Sequence, residues 1–228
     1  MKKTSTILAI GSSLALGSAQ AEIESSFHVG YSTDYVWRGI NQAPGSTTGL
    51  YEYGLDFSGD CNCGATWNAG IWQADYGTNS EELDIYAGIS KEFGAVELSL
   101  GLIRYEFGTG GGDTSELYLG AGTDLAGLDV SAAIYYDVDS VDGLTWFELS
   151  AGKSFDLGGA SLDLAANYGS TLQSGGSYTT YGLSAAVSKE LGDNLTGSIY
   201  VAGEITDGVP AGGDGDDLFG GISLSYGF

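Results

Sequence analysis

The sequence predicts an all-β fold, an antiparallel up-and-down transmembrane β-barrel of about 12 strands, and three observations support this prediction. Apolar and polar residues alternate in twelve segments, which is the period of a strand with one apolar face. Short turns and longer loops connect the segments in strict alternation. The last segment, Leu218–Phe228, places Ile222, Leu224, Tyr226 and Phe228 on one face and glycine or serine on the other.

The N-terminus has the form of a secretory signal peptide. Lys2 and Lys3 precede a short apolar core and the small-residue site Ala19-Gln-Ala21. We therefore expect residues 1–21 to be removed and residues 22–228 to form the barrel. No later segment approaches the ~18 consecutive apolar residues of a transmembrane helix. An exported chain of this kind that is integral to a membrane must cross it as a barrel.

The charge balance excludes one class of partner. The chain has 30 acidic and 7 basic residues, for a net charge of −23. Such a chain is not expected to bind nucleic acid. A high net charge with few aromatics is typical of disorder, but 15 tyrosines indicate an ordered chain.

Each of the twelve segments carries apolar residues at every second position, with small or charged residues between them. In chain order, with two apolar members each, they are Ile23–Tyr35 (Phe27, Val29), Gly49–Ser58 (Tyr53, Leu55), Ala65–Gln73 (Ala69, Ile71), Glu81–Phe93 (Ile85, Ala87), Ala95–Phe107 (Leu98, Leu100), Thr114–Thr123 (Leu117, Leu119), Leu128–Tyr136 (Val130, Ala132), Leu144–Phe155 (Phe147, Leu149), Ala160–Gly169 (Leu162, Leu164), Ser177–Lys189 (Leu183, Ala185), Leu195–Glu204 (Ile199, Val201) and Leu218–Phe228 (Ile222, Leu224).

The connections favour a membrane barrel over a soluble β-sandwich, which also alternates. Short turns at one end and long loops at the other are typical of outer-membrane barrels, whose short turns are periplasmic and whose longer loops are extracellular. A Greek-key sandwich has no reason to follow this order. The short connections are Gly59–Gly64, Phe93-Gly94, Asp124–Gly127, Phe155–Gly159 and Leu191–Asn194. The longer ones are Val36–Thr48, Ala74–Ser80, Gly108–Asp113, Asp137–Gly143, Ser170–Gly176 and Ile205–Asp216.

Membrane-interface anchors are predicted at the short-turn end. Three lysines there share the apolar parity of their strands, so each ammonium can reach lipid phosphate while its stem stays in hydrocarbon. Solubilising turn lysines are the alternative, but this alternative does not explain the shared parity. Aromatic residues at the same end fit an interfacial girdle. The predicted anchors are Trp67, Lys91, Phe93, Lys153, Phe155, Lys189 and Phe228.

The C-terminal segment resembles the closing strand of bacterial outer-membrane barrels as a class, because apolar residues stand at every second position from Ile222 onward and the last of them is Phe228. This resemblance implies localisation in the outer membrane of a Gram-negative bacterium. It also implies contact with the barrel assembly machinery through this strand, and with outer-membrane lipids and lipopolysaccharide. A homo-oligomer is a further option, because an oligomer interface and a lipid face look alike in sequence.

The face opposite the apolar one is expected to line a lumen, and its ionisable residues are overwhelmingly acidic. Acidic rings attract cations and repel anions, so a pore of this kind prefers cations and carries ions or small solutes. The alternative is a plugged barrel in which carboxylates pair with hydroxyl groups; the many lumen glycines, serines and alanines favour a channel. The predicted pore-lining residues are Asp34, Arg38, Glu52, Asp56, Glu82, Asp84, Glu97, Glu116, Asp129, Glu148, Asp163 and Glu204.

One block has a narrower resemblance. Asp34–Gln42 (DYVWRGINQ) resembles the opening signature of the TorF-type family of outer-membrane porins, in which the first strand ends in such a motif. Trp67–Trp72 and Glu82–Gly88 resemble the next blocks of that family, so the likeness covers about the first half of the chain. It implies a barrel with porin activity and adds little about the solute.

Arg38 lies four residues beyond Asp34 on the lumen parity. We hypothesise that it reaches Asp34 or Glu82 and holds the first loop inward as a constriction. The alternative is a rim arginine exposed to water, since surface ion pairs contribute little.

Two further features are left open by the sequence. Cys61 and Cys63 share one tight turn. The sequence allows a turn feature without function, a disulfide, or a redox or metal role for this pair. The run Gly212–Asp217 offers clustered oxygens for Ca²⁺ but lacks the spacing of a calcium motif, which favours a solvated loop or one bridged by cations to lipopolysaccharide.

Two other function classes compete with a channel. An outer-membrane enzyme needs a base and a nucleophile within hydrogen-bond reach, and the only histidine, His28, has no serine paired with it by sequence logic. We therefore expect no enzyme, no cofactor and no catalytic residue. An adhesin or structural barrel without conductance is the third class, which bilayer recording separates from a porin.

Overall fold

Twelve long strands close into a barrel, and two short strands form a separate two-stranded hairpin. The computed structural model describes residues 23–77, 81–108, 112–139, 143–172, 177–208 and 215–228. The predicted signal peptide, residues 1–21, lies outside these ranges. The strands are β1 (Glu24–Ser32), β2 (Val36–Trp37), β3 (Ile40–Asn41), β4 (Leu50–Asp60), β5 (Thr66–Asp75), β6 (Glu81–Phe93), β7 (Val96–Phe107), β8 (Thr114–Leu125), β9 (Leu128–Asp137), β10 (Thr145–Asp156), β11 (Ser161–Thr171), β12 (Thr179–Gly192), β13 (Leu195–Asp207) and β14 (Asp216–Gly227).

The wall is an up-and-down barrel in which each wall strand pairs antiparallel with the next wall strand in sequence, β1 pairing with β4 across the separate β2–β3 hairpin. Closure comes from β1 and β14, where Phe27 faces Tyr226 and Val29 faces Leu224. The predicted strand number, direction and closing segment are therefore confirmed. Because the sheet has no free edge, its backbone groups are satisfied within the wall, which a lipid-facing sheet requires.

The apolar residues point outward and the polar ones inward. The exposed large hydrophobic side chains lie at alternate positions on the wall strands, among them Val29, Ile85, Leu100, Leu119 and Leu224. The buried side chains lie inside the barrel and include carboxylates as well as aromatics. None of the described residues belongs to a helix long and apolar enough to cross a bilayer.

The first predicted strand, Ile23–Tyr35, is too long. Strand β1 ends at Ser32, and the chain then turns into the barrel, so the DYVWRGINQ block is a separate hairpin and not a strand end. Tyr35 continues the apolar parity of Phe27, Val29 and Tyr31, which is why the sequence pattern extended the strand to that residue. At the other end of the chain β14 begins at Asp216, two residues before the predicted start.

The short connections are tight hairpins with the predicted positions. Between β8 and β9, Ala126 and Gly127 have φ of 57° and 81°, which is the conformation of a two-residue type I′ turn. Cys61 and Cys63 lie in the turn between β4 and β5 and are joined by a disulfide, with 5.2 Å between their Cα atoms. The alternative that the sequence left open is thus decided in favour of the oxidised pair.

If the outer face contacts lipid, a charge placed on it should destabilise the barrel by an amount that depends on its depth in the bilayer. Leu119, 55% exposed at the middle of β8, and Leu125, 63% exposed at its short-turn end, point to the same side. Arginine at the bilayer midplane destabilises a barrel by about 2–4 kcal/mol, and near the interface by about 0–1 kcal/mol. We expect Leu119→Arg to lose the larger amount and Leu125→Arg the smaller. Denaturant unfolding in phospholipid vesicles measures both, and equal losses would contradict a lipid-facing band.

Candidate functional site

The first long loop folds into the barrel and forms the candidate site. Its strands β2 and β3 pair Val36 with Asn41 and Trp37 with Ile40, so Arg38 and Gly39 form a two-residue turn. Both turn residues have positive φ, 50° and 72°, as a type I′ turn requires. Val36 is only 1% exposed. We call residues 34–42 the lumen hairpin.

At the tip of the lumen hairpin, Arg38 makes a bidentate ion pair with Glu116 on β8. Its Nη1 and Nη2 atoms donate to Oε1 and Oε2 of Glu116, each at 2.7 Å. The two side chains are 8% and 3% exposed. The Tyr105 hydroxyl donates to Glu116 Oε2 at 3.0 Å. Removing one partner of such a buried pair costs about 3–5 kcal/mol, because a charge is left without compensation.

Aromatic rings surround the same guanidinium. The Arg38 Cζ atom lies 4.3 Å from the ring centroid of Trp37, 5.0 Å from that of Tyr135 and 5.3 Å from that of Trp146. Each distance is within the range of a cation–π interaction, worth about 0.5–2 kcal/mol. Trp37 comes from the hairpin itself, whereas Tyr135 and Trp146 belong to the wall. The charge is thus held by one carboxylate and three π faces.

The turn also contacts the wall on the other side. The Thr206 hydroxyl on β13 donates to the Gly39 carbonyl oxygen at 2.6 Å. A Cβ atom at position 39 would overlap the side chains of Thr180 and Thr206. Position 39 therefore requires glycine for two reasons: the backbone has a positive φ, and the turn approaches the wall too closely for a side chain.

The base of the lumen hairpin packs on the strands next to it. The Tyr35 ring lies 5.8 Å from Trp72 and 4.9 Å from Tyr76, in a buried cluster with Leu50 and Ala74. On the opposite side the Asn41 amide donates to carboxylate oxygens of Asp34 and Asp217, at 3.2 and 3.3 Å. The hairpin therefore spans the lumen from β4 and β5 to β8, β13 and β14.

An acidic pair adjoins this aromatic cluster. Glu82 and Asp84 lie next but one on β6, and Glu82 is buried. Burial and the charges of Glu82 and Asp84 raise the pKa of the Tyr76 phenol, which lies just beyond β5, to about 12. A tyrosine hydroxyl is neutral at physiological pH even without this shift, so the Tyr76 hydroxyl can act as a hydrogen-bond donor to the Glu82 carboxylate.

Most other predicted lumen acids have a hydrogen-bond partner on the inner wall. The Trp72 indole donates to Glu52 at 2.9 Å, Tyr86 donates to Asp56, and Trp146 donates to Glu148 at 3.4 Å. At the short-turn half, Ser90 donates to Glu97 and Ser154 to Asp163, while Asp129 lies opposite Gly152. Glu204 faces Asp217 across β13 and β14.

Glycines of the lumen face do not leave open space, contrary to the prediction. A Cβ atom at Gly70, Gly101, Gly169 or Gly221 would overlap an aromatic ring from a neighbouring strand. The rings are Tyr86, Tyr118, Trp146 and Tyr200, respectively. Each of these glycines thus makes room for a ring of the neighbouring strand. The sequence showed both residue types on the lumen parity, but not that they stack.

The expected partner of Arg38 was wrong, although the expected inward position of the loop was right. Neither Asp34 nor Glu82 pairs with it; Asp34 accepts a hydrogen bond from Asn41 instead. Glu116 is 78 residues away in sequence, so no local spacing could indicate it. The rim alternative is also excluded, because the guanidinium is buried.

The predicted interface anchors lie on the outer face at the short-turn end. Lys91 and Lys153 approach the rings of Phe93 and Phe155, at 6.0 and 5.7 Å, and the Phe228 ring stacks on Tyr226. Lys189 and Trp67 are placed at the same end, on β12 and β5. Of the acidic run, Asp216 and Asp217 belong to β14, and Asp214 lies outside the described residues. No group of three metal-ligating side chains is found within the described ranges.

A family model described as "Bacterial protein of unknown function (Gcw_chp)" matches residues 17–203. The chain belongs to this family. The Gcw_chp match includes the lumen hairpin, Glu116 and the aromatic residues around Arg38. No curated protein matches the sequence significantly.

Solved outer-membrane channels share the fold of this Gcw_chp protein. The COG4313 outer membrane channel from Pseudomonas putida F1 has a TM-score of 0.60 and 8% identity, covering 93% of this chain and 97% of the channel. The NanC porin has a TM-score of 0.57 and 12% identity, covering 89% and 98%. The KdgM porin has a TM-score of 0.56 and 9% identity, covering 90% and 99%. At these identities the likeness shows the fold alone.

The ion pair between Arg38 and Glu116 should protect the lumen hairpin from proteolysis. Trypsin cleaves after arginine, but it is too large to enter a twelve-stranded barrel, so cleavage after Arg38 requires the hairpin to leave its seat. We expect Glu116→Gln to raise the rate of this cleavage at least tenfold, since a buried ionic partner is lost. The fragments are identified by mass spectrometry.

The matched control is Glu106→Gln, which removes an exposed carboxylate 3.8 Å from Arg104 on the outer face. It should leave the cleavage rate after Arg38 unchanged. Equal rates in wild type and Glu116→Gln would mean that the ion pair does not hold the hairpin.

Proposed function

We propose that this protein is a porin-like channel of the bacterial outer membrane, which lets ions or small solutes diffuse passively and prefers cations. One observation carries the proposal: a closed barrel with an apolar outside and a carboxylate-rich inside has its first loop folded into the lumen. A barrel closed only for stability has no need of a charged interior.

The charge inside supports the preference for cations. Eleven of the twelve predicted pore-lining residues are carboxylates, and the remaining one, Arg38, is neutralised by Glu116. Carboxylate rings in a narrow pore attract cations and repel anions. Glu97, Asp129 and Asp163 line the short-turn half, away from the lumen hairpin, so their field acts on any solute that enters there.

The fold neighbours support the class of function by analogy. KdgM and NanC are porins, and the Pseudomonas protein is an outer membrane channel. One fold hosts several functions, so the argument for transport rests on the lumen of this chain. The resemblance of Asp34–Gln42 to TorF-type porins points the same way, and those residues form the lumen hairpin, which would be the constriction of the proposed channel.

A non-conducting structural or adhesin barrel is the second candidate. It is favoured by the extent to which the lumen hairpin, Trp72, Tyr105 and Trp146 fill the long-loop half. An outer-membrane enzyme is less well supported. His28 faces Asp56, with 3.4 Å between Nδ1 and Oδ2, on the inner wall and not at a rim where a macromolecular substrate has access.

The proposal includes the membrane partners expected for such a barrel. Lys91, Lys153 and Lys189 are exposed on the outer face at one end, where their ammonium groups would contact phospholipid phosphate. Lipopolysaccharide would meet the opposite rim. The barrel assembly machinery would bind the protein through its C-terminal strand, β14. A homo-oligomer would use part of the same apolar face.

Removal of Arg38 should widen the constriction. We expect Arg38→Ala to increase single-channel conductance in planar bilayers and to strengthen cation preference, because a positive charge and the clamp on the hairpin are lost together. The K⁺/Cl⁻ reversal potential and current of the wild type are the reference. A folded wild-type protein that never conducts would reject the channel, and unchanged values in Arg38→Ala would reject the constriction.

Selectivity should follow the acids at the short-turn half. We expect Glu97→Gln combined with Asp163→Asn to move the K⁺/Cl⁻ reversal potential toward zero, because two carboxylates are removed from the predicted permeation path. Glu106→Gln, which removes a carboxylate from the outer face, should leave it unchanged. The same shift from both variants would mean that overall charge, and not lumen charge, sets selectivity.

A further inference from the structure

The wall around the Arg38 guanidinium is a pocket made by four neighbouring strands. Tyr105 comes from β7, Glu116 from β8, Tyr135 from β9, and Trp146 with Glu148 from β10. We call these five residues the wall pocket. Trp146, Tyr105 and Glu116 are buried, and Tyr135 lies against the same charge, so the pocket is largely enclosed by strands of the wall.

The wall pocket is organised by contacts that do not involve the lumen hairpin. Tyr105 donates to Glu116 at 3.0 Å, which orients the carboxylate, and the Trp146 indole donates to Glu148 at 3.4 Å. Gly169 on β11 provides the flat surface behind the Trp146 ring, where a Cβ atom would overlap it. Because the wall supplies these contacts itself, the pocket can keep its shape when the hairpin is absent.

The chemistry of the wall pocket selects a planar cation with several donors. Glu116 receives two parallel N–H donors at 2.7 Å, a geometry that a guanidinium matches and an ammonium does not. Tyr135 and Trp146 offer π faces at 5.0 and 5.3 Å, on which a weakly hydrated planar cation stacks. The complementary ligand class is therefore the guanidinium or amidinium group.

The present occupant is separable from the wall. Arg38 belongs to the short β2–β3 hairpin, which forms a sheet of its own outside the barrel ladder and is bonded to the wall through side chains, such as Thr206 to the Gly39 carbonyl and Asn41 to Asp217. The guanidinium can leave without breaking a hydrogen bond between wall strands. A group delivered by a tethered loop behaves as an intramolecular ligand, with an effective concentration on the order of millimolar for a short linker.

We propose that the wall pocket is a binding site for guanidinium-bearing organic cations, and that Arg38 is its tethered occupant, which a free ligand of this class displaces. Displacement would release the lumen hairpin, so the ligand would also widen the constriction. The transport consequence rests on the proposed channel, whereas binding and displacement are measured in detergent micelles without any current.

The first measurement tests binding. Arg38→Ala empties the pocket, and methylguanidinium is titrated calorimetrically into the folded variant at constant ionic strength. We expect saturable binding that is at least tenfold weaker in Arg38→Ala/Glu116→Gln and at least tenfold weaker for methylammonium, which lacks the planar fork. Arg38→Gln, closer in length to arginine, replaces Arg38→Ala should the shorter side chain prevent folding.

The second measurement tests displacement with Arg38 in place. Val36 is buried in the lumen hairpin, so the thiol of Val36→Cys reacts with a methanethiosulfonate reagent only after the hairpin moves. Cys61 and Cys63 do not compete for the reagent, because they form a disulfide. We expect methylguanidinium to raise the labelling rate several-fold over equal concentrations of methylammonium. In Val36→Cys/Glu116→Gln the rate should be high already and insensitive to the ligand.

Both results together support the proposal. No saturable binding to the emptied pocket, or binding that Glu116→Gln leaves unchanged, overturns it. Binding without faster labelling of Val36→Cys also overturns it, because this would be the filling of a cavity made by the substitution. A wild-type protein that binds and releases the hairpin but carries no current would reject the channel alone and leave the binding site standing.

Discussion

The pairing of β1 with β14 is the constraint on which the rest of the molecule depends. Closure satisfies the backbone of every wall strand internally, so the outer face can consist of leucine, isoleucine, valine and aromatic residues. The same closure creates an interior toward which alternate residues of every wall strand point, and many of those residues are charged or polar. The interior must then be hydrated, paired or filled by another part of the chain.

The lumen hairpin fills one half of this interior, and the positive charge of Arg38 stabilises it there. Glu116, Glu148, Glu82 and Asp84 lie on the inner wall of that half, where like charges would repel one another in a medium of low dielectric constant. Arg38 brings a positive charge to Glu116 and is wrapped by three aromatic rings. A hairpin with a neutral residue at its tip would leave that carboxylate buried and uncompensated.

Aromatic residues and glycines divide the remaining space between them. Tyr86 on Gly70, Tyr118 on Gly101 and Trp146 on Gly169 each place a ring across a neighbouring strand. Two of these rings also donate hydrogen bonds, Tyr86 to Asp56 and Trp146 to Glu148, so the same side chains pack against the wall and satisfy its carboxylates. The sequence shows many small residues on the lumen parity and suggests open space there. In the structure, aromatic rings from neighbouring strands occupy much of that space.

The sequence by itself determined the wall. The alternation of apolar and polar residues located the strands. The alternation of short and long connections showed that they run up and down. Only the tertiary structure decided the interior. Tyr35 keeps the apolar parity of β1, so the sequence pattern extends that strand into Asp34–Gln42, and only the structure shows the hairpin with its turn at Arg38-Gly39. Arg38 and Glu116 are 78 residues apart and meet only because closure brings β8 opposite the first loop. Local patterns encode which face a residue takes, whereas pairing across a lumen depends on the geometry of the whole ring.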